Sequence, residues 1–180
     1  MLKTYLRKMK GTTKSPPAVN LSEIFWSWAG AFAGIALIGC INDSLLGTTD
    51  QVMLIGSFGA SAVLLYGAVK SPLAQPRNVL GGHILSAVIG VAAYQLLAAH
   101  LWLASAAAVA FALALMHLTR TLHPPGGATA LIAVIGGDKI HTLGYLYAVI
   151  PVGAGAAVML IIALLVNNIP ASRRYPEYWL

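Results

Sequence analysis

Leu122-His123-Pro124-Pro125-Gly126-Gly127-Ala128-Thr129-Ala130-Leu131 is the stretch from which the organisation of this chain is read. A residue before proline is pushed out of the helical region, so His123 and Pro124 are extended. Pro125 suits a first helical turn, where its missing N–H has no partner anyway. Gly126 and Gly127 let backbone or ligand approach closely. The stretch is thus irregular to Pro125 and then helical to about Gly136. A weaker copy lies 68 positions earlier: Gly59-Ala60-Ser61-Ala62, opened by Gly56-Ser57-Phe58. Leu54 aligns with Leu122, Gly59 with Gly127, Ala60 with Ala128, Ser61 with Thr129 and Ala62 with Ala130.

The surroundings of both copies are those of a membrane protein. The chain has 180 residues, 58% hydrophobic and 9% charged, with mean hydropathy +0.79; soluble domains carry about 25% charged residues. The runs 24–41, 78–119 and 143–168 hold no Asp, Glu, Lys or Arg, and a bilayer span needs roughly 20 apolar residues. The net charge of +6 is an orientation signal and no nucleic-acid signal, because the basic residues sit at span ends. Cys40 is the single cysteine, which excludes an intrachain disulfide and a thiolate metal site.

Six crossings are predicted: about Glu23–Cys40; Gln51–Val69, irregular to Ser57; Arg77–Leu97; Leu101–Thr119; Leu122–Gly136, irregular to Pro125; and Leu143–Val166. With the N-terminus inside, ten of the eleven Lys and Arg residues fall inside and only Lys139 outside, the bias that membrane insertion favours. Re-entrant loops in place of the two broken segments would put Lys70 and Arg77 outside. The fold class is therefore an all-α membrane protein of two inverted three-segment repeats, about 22–97 and 101–168, with segments two and five as broken half-helices. A basic cytoplasmic segment, 1–21, precedes it and a cytoplasmic tail, 169–180, follows. Within 1–21, Leu2, Tyr5, Leu6 and Met9 have helical spacing among the basic residues. Two readings stand: a helix lying on an anionic leaflet, or a disordered tail.

Broken helices at membrane depth expose backbone N–H groups, which is tolerated only against protein or a cavity. In an inverted arrangement both helical halves begin near the midplane, and their positive ends face one another. Each end is equivalent to roughly +0.5 charge, so the pair suits a small monovalent anion. The predicted binding residues are Ser57, Phe58, Gly59, Ala60, Ser61, His123, Pro124, Pro125, Gly126, Gly127, Ala128 and Thr129. Tight helix crossing is the competing role for the glycines. Lys70, Gln75, Arg77 and Asn78 cluster at the inner mouth with Arg120 on the same side, either drawing anions by field or only setting orientation. His83 and His123 are intramembrane titratable groups, each a proton-coupling candidate or a structural imidazole. Gly30/Gly34 and Gly82/Ser86/Gly90 read as packing stripes. No acid lies inside a span, no His pair has i, i+4 spacing, and no phosphate or dinucleotide fingerprint occurs. No enzymatic activity, cofactor or metal is therefore expected.

The motif at 123–131 resembles the HPP family of integral membrane proteins. Ser71-Pro72-Leu73-Ala74-Gln75-Pro76-Arg77-Asn78, then Gly82-His83 and Ser86, and Gly56-Ser57-Phe58-Gly59-Ala60-Ser61-Ala62 are similar to it as well. The resemblance covers roughly residues 20–168. It implies a transporter, with nitrite as the anion associated with cyanobacterial and plastid members, in a bacterial inner membrane or a plastid-type membrane. It also implies four spans, against six when the broken segments are counted. The partners expected are a small inorganic anion, the lipid bilayer and further copies of the chain, with no nucleic acid. The alternative is a non-transporting membrane assembly or scaffold protein whose contact faces are the small-residue stripes.

Overall fold

Asn20 opens the first long helix: its Oδ1 accepts the Glu23 backbone N–H at 2.9 Å, the side-chain cap that a first turn needs. The computed structural model describes residues 2–9, 13–46 and 53–180. Lys10, Asp50 and the start of the predicted second segment at Gln51 lie outside the described residues. A short helix, α1, covers Leu2–Lys8, and α2 runs Leu21–Leu46. Ile55 is extended, and α3 follows at Gly56–Ala62, continuing through a wider turn at Val63–Gly67. Ser71 caps a 3-10 turn at Pro72–Ala74 by accepting the Leu73 N–H. Then come α4 (Pro76–Leu97), α5 (Leu101–Leu118), α6 (Pro124–Ile135) and α7 (Asp138–His141). The last long element, Gly144–Val166, starts as tight and wide turns broken at Ile150 and ends as α8 (Ala154–Val166).

Among the described residues the protein is all-helical, and four elements are long and apolar enough to cross a membrane: Leu21–Leu45, Pro76–Leu97, Leu101–Leu118 and Gly144–Val166. The two broken segments do not qualify alone. Helix α6 has 12 residues, and α3 with its wider turn is equally long. At 1.5 Å per residue each is about 18 Å, short of the roughly 30 Å hydrocarbon core.

Hydrogen bonds gather one set of element ends at a basic face. Asn167 Nδ2 donates to Leu65 O, Asn78 Nδ2 to Leu122 O and Arg77 Nη2 to Thr119 O. Buried Arg173 clamps the tail there, donating to Glu23 Oε2 and Glu23 O at 2.8 Å each, to Ser27 Oγ, to Tyr66 O and to Asn167 Oδ1. Tyr175 donates to Ala74 O at 2.7 Å. Burial first, then the neighbouring Tyr66, holds the Tyr175 phenol above its ordinary pKa and so keeps it a donor. At the opposite face, Asn42 Oδ1 accepts the Met53 N–H at 3.0 Å.

Helix α4 is the central element, with α5 and α6 along it. Its small-residue stripe is used within the molecule. A Cβ on Gly82 would lie 2.5 Å from His123 Cβ, and one on Gly90 would lie 2.5 Å from Ala130 O. Gly30 and Gly34 of α2 likewise lie under the Tyr66 ring. On α2, Phe25, Trp28 and Phe32 are exposed, as an aromatic girdle at a lipid interface would be.

Candidate functional site

Helix α3 and helix α6 lie side by side and antiparallel. Ser57, in the first turn of α3, meets Thr129 in the second turn of α6, while Ser61 meets His123 at the start of α6. Gly56 borders a groove with Ile132, Gly136 and Lys139, and Pro124 borders one with Ala60 and Leu64. Each helix start therefore sits beside the far half of the other helix. The predicted convergence of two positive ends on one midplane point is not what forms, and the two dipoles oppose along the pair. His123 packs on Gly82, about 9 Å along α4 from Pro76 at 1.5 Å per residue.

What the pair encloses is a polar cluster with no exposed surface: Ser57, Ser61, His83, His123 and Thr129 are each 0% exposed. Ser61 Oγ lies 2.7 Å from His83 Nε2 and 2.9 Å from His123 Nε2. His83 Nδ1 lies 2.7 Å from Thr129 Oγ1. Thr129 Oγ1 donates to Ser57 Oγ at 2.9 Å and lies 3.3 Å from Pro125 O. At the other end, His123 Nδ1 donates to Leu73 O at 2.7 Å; a carbonyl only accepts, so this nitrogen carries hydrogen. The imidazole rings are 4.9 Å apart, and the Phe58 ring stands edge-on to His83 at 5.4 Å.

Sequence logic at each position explains the cluster. Ser57 and Ser61, and likewise Pro125 and Thr129, are four apart and share a helix face. His83 faces them because Gly82 and Gly126 let α4 and α6 touch. A Cβ on Gly126 would sit 2.8 Å from Gly82 O and 2.7 Å from Ser86 Oγ. Pro125 fills the first turn of α6 and is buried.

Of the predicted binding residues, Ser57, Phe58, Ser61, His123, Pro125, Gly126 and Thr129 surround this cluster, joined by His83. The others do not. Gly59, Ala60 and Pro124 are exposed, and Gly127 and Ala128 are half-buried. Added Cβ atoms meet nothing within 4 Å at Gly59 and only Val109 at 3.9 Å at Gly127. Ala60, Pro124 and Ala128 line an apolar groove. The helical period separates Gly59 from Ser57 and Ser61 by about 200°.

The inner-mouth residues divide. Lys70 is exposed on the rim of a cavity of about 320 Å³ with Arg173 and Arg174. Arg77 is committed to Thr119 O. Arg120 is exposed and takes a left-handed conformation, φ 57°, closing α5 with the Thr121 N–H on Met116 O. Asn78 is buried beside Leu122, and its Oδ1 alone among the described buried side-chain polar atoms has no hydrogen-bond partner.

Residues outside the predicted binding set also matter. Tyr147 donates to Thr129 O at 3.2 Å. Gln75 braces the Leu73 turn through Val69 O and Ser71 O and accepts the Glu177 N–H. Gln75 was legible in the Ser71–Asn78 stretch at the inner mouth and Arg173 as one of a basic pair in the tail; Tyr147 carried no signal. No group of three or more His, Cys, Asp or Glu positioned for a metal occurs among the described residues.

Known proteins agree with the membrane class. No solved structure matches. Two transmembrane proteins of Dictyostelium discoideum are each 44% identical over 97% of this chain, which spans 57% and 63% of their lengths. Residues 16–176 match the family described as HPP, transmembrane region. The chain therefore belongs to the HPP family of integral membrane proteins.

Proposed function

We propose that the protein carries a small monovalent anion, nitrite foremost, across the membrane, and that the Ser57–Ser61–His83–His123–Thr129 cluster handles it. The observation that carries this reading is the cluster itself: three hydroxyls and two imidazoles, fully buried between two short helices in a membrane family. Polar side chains at such depth are costly and mark pathways by default. The donor set is uncharged hydroxyl and imidazole, and Arg173 is the only buried Lys, Arg, Asp or Glu among the described residues. Such a site suits one weakly hydrated negative charge. Lys70, Arg173 and Arg174 around the basic cavity supply attraction at its mouth. Nitrite is favoured by the resemblance to cyanobacterial and plastid members.

The six-segment inverted repeat belongs to the same reading. The antiparallel pairing of α3 and α6 supports it, as does the gathering of alternate element ends at one basic face. That face is placed toward the cytoplasm on the positive-inside bias. The reading also takes the protein as a homo-oligomer in the bilayer, with exposed apolar side chains on α2, α5 and α8 available to neighbouring copies as well as to lipid. The scaffold alternative is weakened, because its two small-residue stripes are occupied inside the molecule by Tyr66 and α6.

The test is uptake into proteoliposomes that hold no anion initially, with nitrite, nitrate, formate and chloride offered in turn. The reading expects nitrite entry above protein-free vesicles and loss of that entry in Ser61→Ala. Equal fluxes with and without the protein would contradict it.

A further inference from the structure

The cluster is a single file: Ser57, Thr129, His83, Ser61, His123, then the Leu73 carbonyl, with successive separations of 2.9, 2.7, 2.7, 2.9 and 2.7 Å. Each hydroxyl has one hydrogen and each neutral imidazole has one. Leu73 O fixes the His123 hydrogen on Nδ1. With both rings neutral, one arrangement completes every bond. Ser57 donates to Thr129, Thr129 to His83 Nδ1, His83 Nε2 to Ser61, and Ser61 to His123 Nε2. The direction described above, Thr129 donating to Ser57, completes the file only when one imidazole holds a second hydrogen, so the two directions are the two protonation states of the file. Adding a proton thus reverses the bonds between that ring and Ser57.

Ser57 itself is fully buried, but each end of the file adjoins an exposed residue, Gly56 at one and Pro72 at the other. Ser57 follows Gly56, which lines a groove of about 340 Å³ with Ile132 and Lys139, on the face away from the tail. Leu73 is half-buried in the turn on the basic face. Beside that end lies the unpartnered Asn78 Oδ1, a buried acceptor of the kind that holds an ordered water. The groups around the rings are Phe58 from α3, Ser86 from α4, Met116 from α5 and Tyr147 near α7. None carries a charge, and Tyr147 is the one further titratable group among them.

We infer that this file is a proton relay that moves one proton with each anion; the inference deepens the transport reading and rests on it. A proton from water in the groove adds to Ser57 Oγ, and the Ser57 hydrogen passes to Thr129. The Thr129 hydrogen passes to His83 Nδ1, the His83 Nε2 hydrogen to Ser61, and the Ser61 hydrogen to His123 Nε2. Each transfer breaks one O–H or N–H bond and forms another, and nothing is oxidised. His123 then releases its Nδ1 hydrogen to water on the Leu73 side. The carbonyl disfavours a bare Nδ1, so hydroxyl rotation and tautomer change restore the first arrangement. The positive charge on the file offsets that of the anion, so transport is electroneutral.

The test uses the full chain in vesicles, with nitrite entry assayed chemically and lumen pH read by a trapped dye. Protein-free vesicles supply the nitrous acid leak to be subtracted. The wild type is expected to acidify the lumen in proportion to nitrite, with a flux unmoved by an imposed potassium–valinomycin potential. Thr129→Val removes one hydroxyl from the file and is expected to lower the proton-to-nitrite ratio at least about tenfold, a conservative bound beside the roughly 10²–10⁴-fold that positioned proton transfer supplies. Thr129→Ser restores it. Nitrite entry without acidification, or Thr129→Val acidifying as the wild type does, would overturn the relay. A second readout needs no transport: nitrogen-15 NMR of histidine-labelled protein in lipid. His83 is expected to change tautomer at the pH where His123 gains its proton, and Thr129→Val to uncouple them. Two rings titrating independently in the wild type would overturn the relay even if nitrite moves, and absent nitrite flux with coupled rings would contradict only the anion.

Discussion

Helix α3 and helix α6 carry nearly the same four residues, yet they are held in different ways. Helix α6 enters through His123, whose ring is tied to Leu73 and Ser61, and through Gly126, which is pressed against Gly82 and Ser86. Helix α3 enters through an extended Ile55, has its Gly59 open to the outside, and passes into a wider turn at Val63–Gly67. In both, Ser61 or Thr129 points inward while Gly-Ala points outward. The lesson is that the hydroxyls build the buried cluster and the glycines before them do not. The glycines that matter are Gly126 and its partner Gly82.

Breaking the shared feature has the largest expected effect. Ser61→Ala strips a hydrogen bond from both imidazoles in a site closed to water. It should cost about 3 kcal/mol, since each buried group left unpaired costs about 1–3 kcal/mol, read as a loss of thermal stability in lipid nanodiscs. Gly126→Ala breaks what is particular to α6. Its Cβ would meet backbone at 2.8 Å, and overpacking of this kind costs about 1–3 kcal/mol. Gly59→Ala and Gly127→Ala sharpen the contrast: with room for each Cβ, both should leave stability unchanged or raise it by up to about 1 kcal/mol through helix propensity. A Gly59→Ala as damaging as Gly126→Ala would erase the distinction. The smallest effect is expected at Arg120→Gly. Relief of a left-handed backbone at a non-glycine residue should add about 1 kcal/mol or less, seen as a small rise in melting temperature.

Much of this was legible in the sequence. The charge-free runs gave the membrane class, and His123-Pro124-Pro125 gave the break before α6. The Gly82/Ser86/Gly90 period gave a close helix contact, and Ser57, Ser61, His83, His123 and Thr129 were all singled out. The inward and outward faces were readable too, because Ser57 and Ser61 share a face that Gly59 cannot share. The helix starts were placed wrongly because dipole reasoning sets what a helix end attracts, not how two helices pair. Where α6 starts depends on its Gly126 meeting Gly82 of α4 across more than forty residues, which no local pattern encodes. Asn78 was read as part of a charged mouth, whereas its role in the fold is to hold Leu122 O just before His123.

The central claim is that the anion is handled by the buried hydroxyl–imidazole cluster and not at the glycine-opened helix starts. Nitrite uptake by proteoliposomes bearing wild type, Ser61→Ala or Gly59→Ala at matched amounts of folded protein tests it most directly. The account predicts wild-type uptake from Gly59→Ala and at least about a tenfold loss from Ser61→Ala, the equivalent of about 1.4 kcal/mol in transition-state stabilisation. Undiminished uptake by Ser61→Ala, or loss confined to Gly59→Ala, would contradict it.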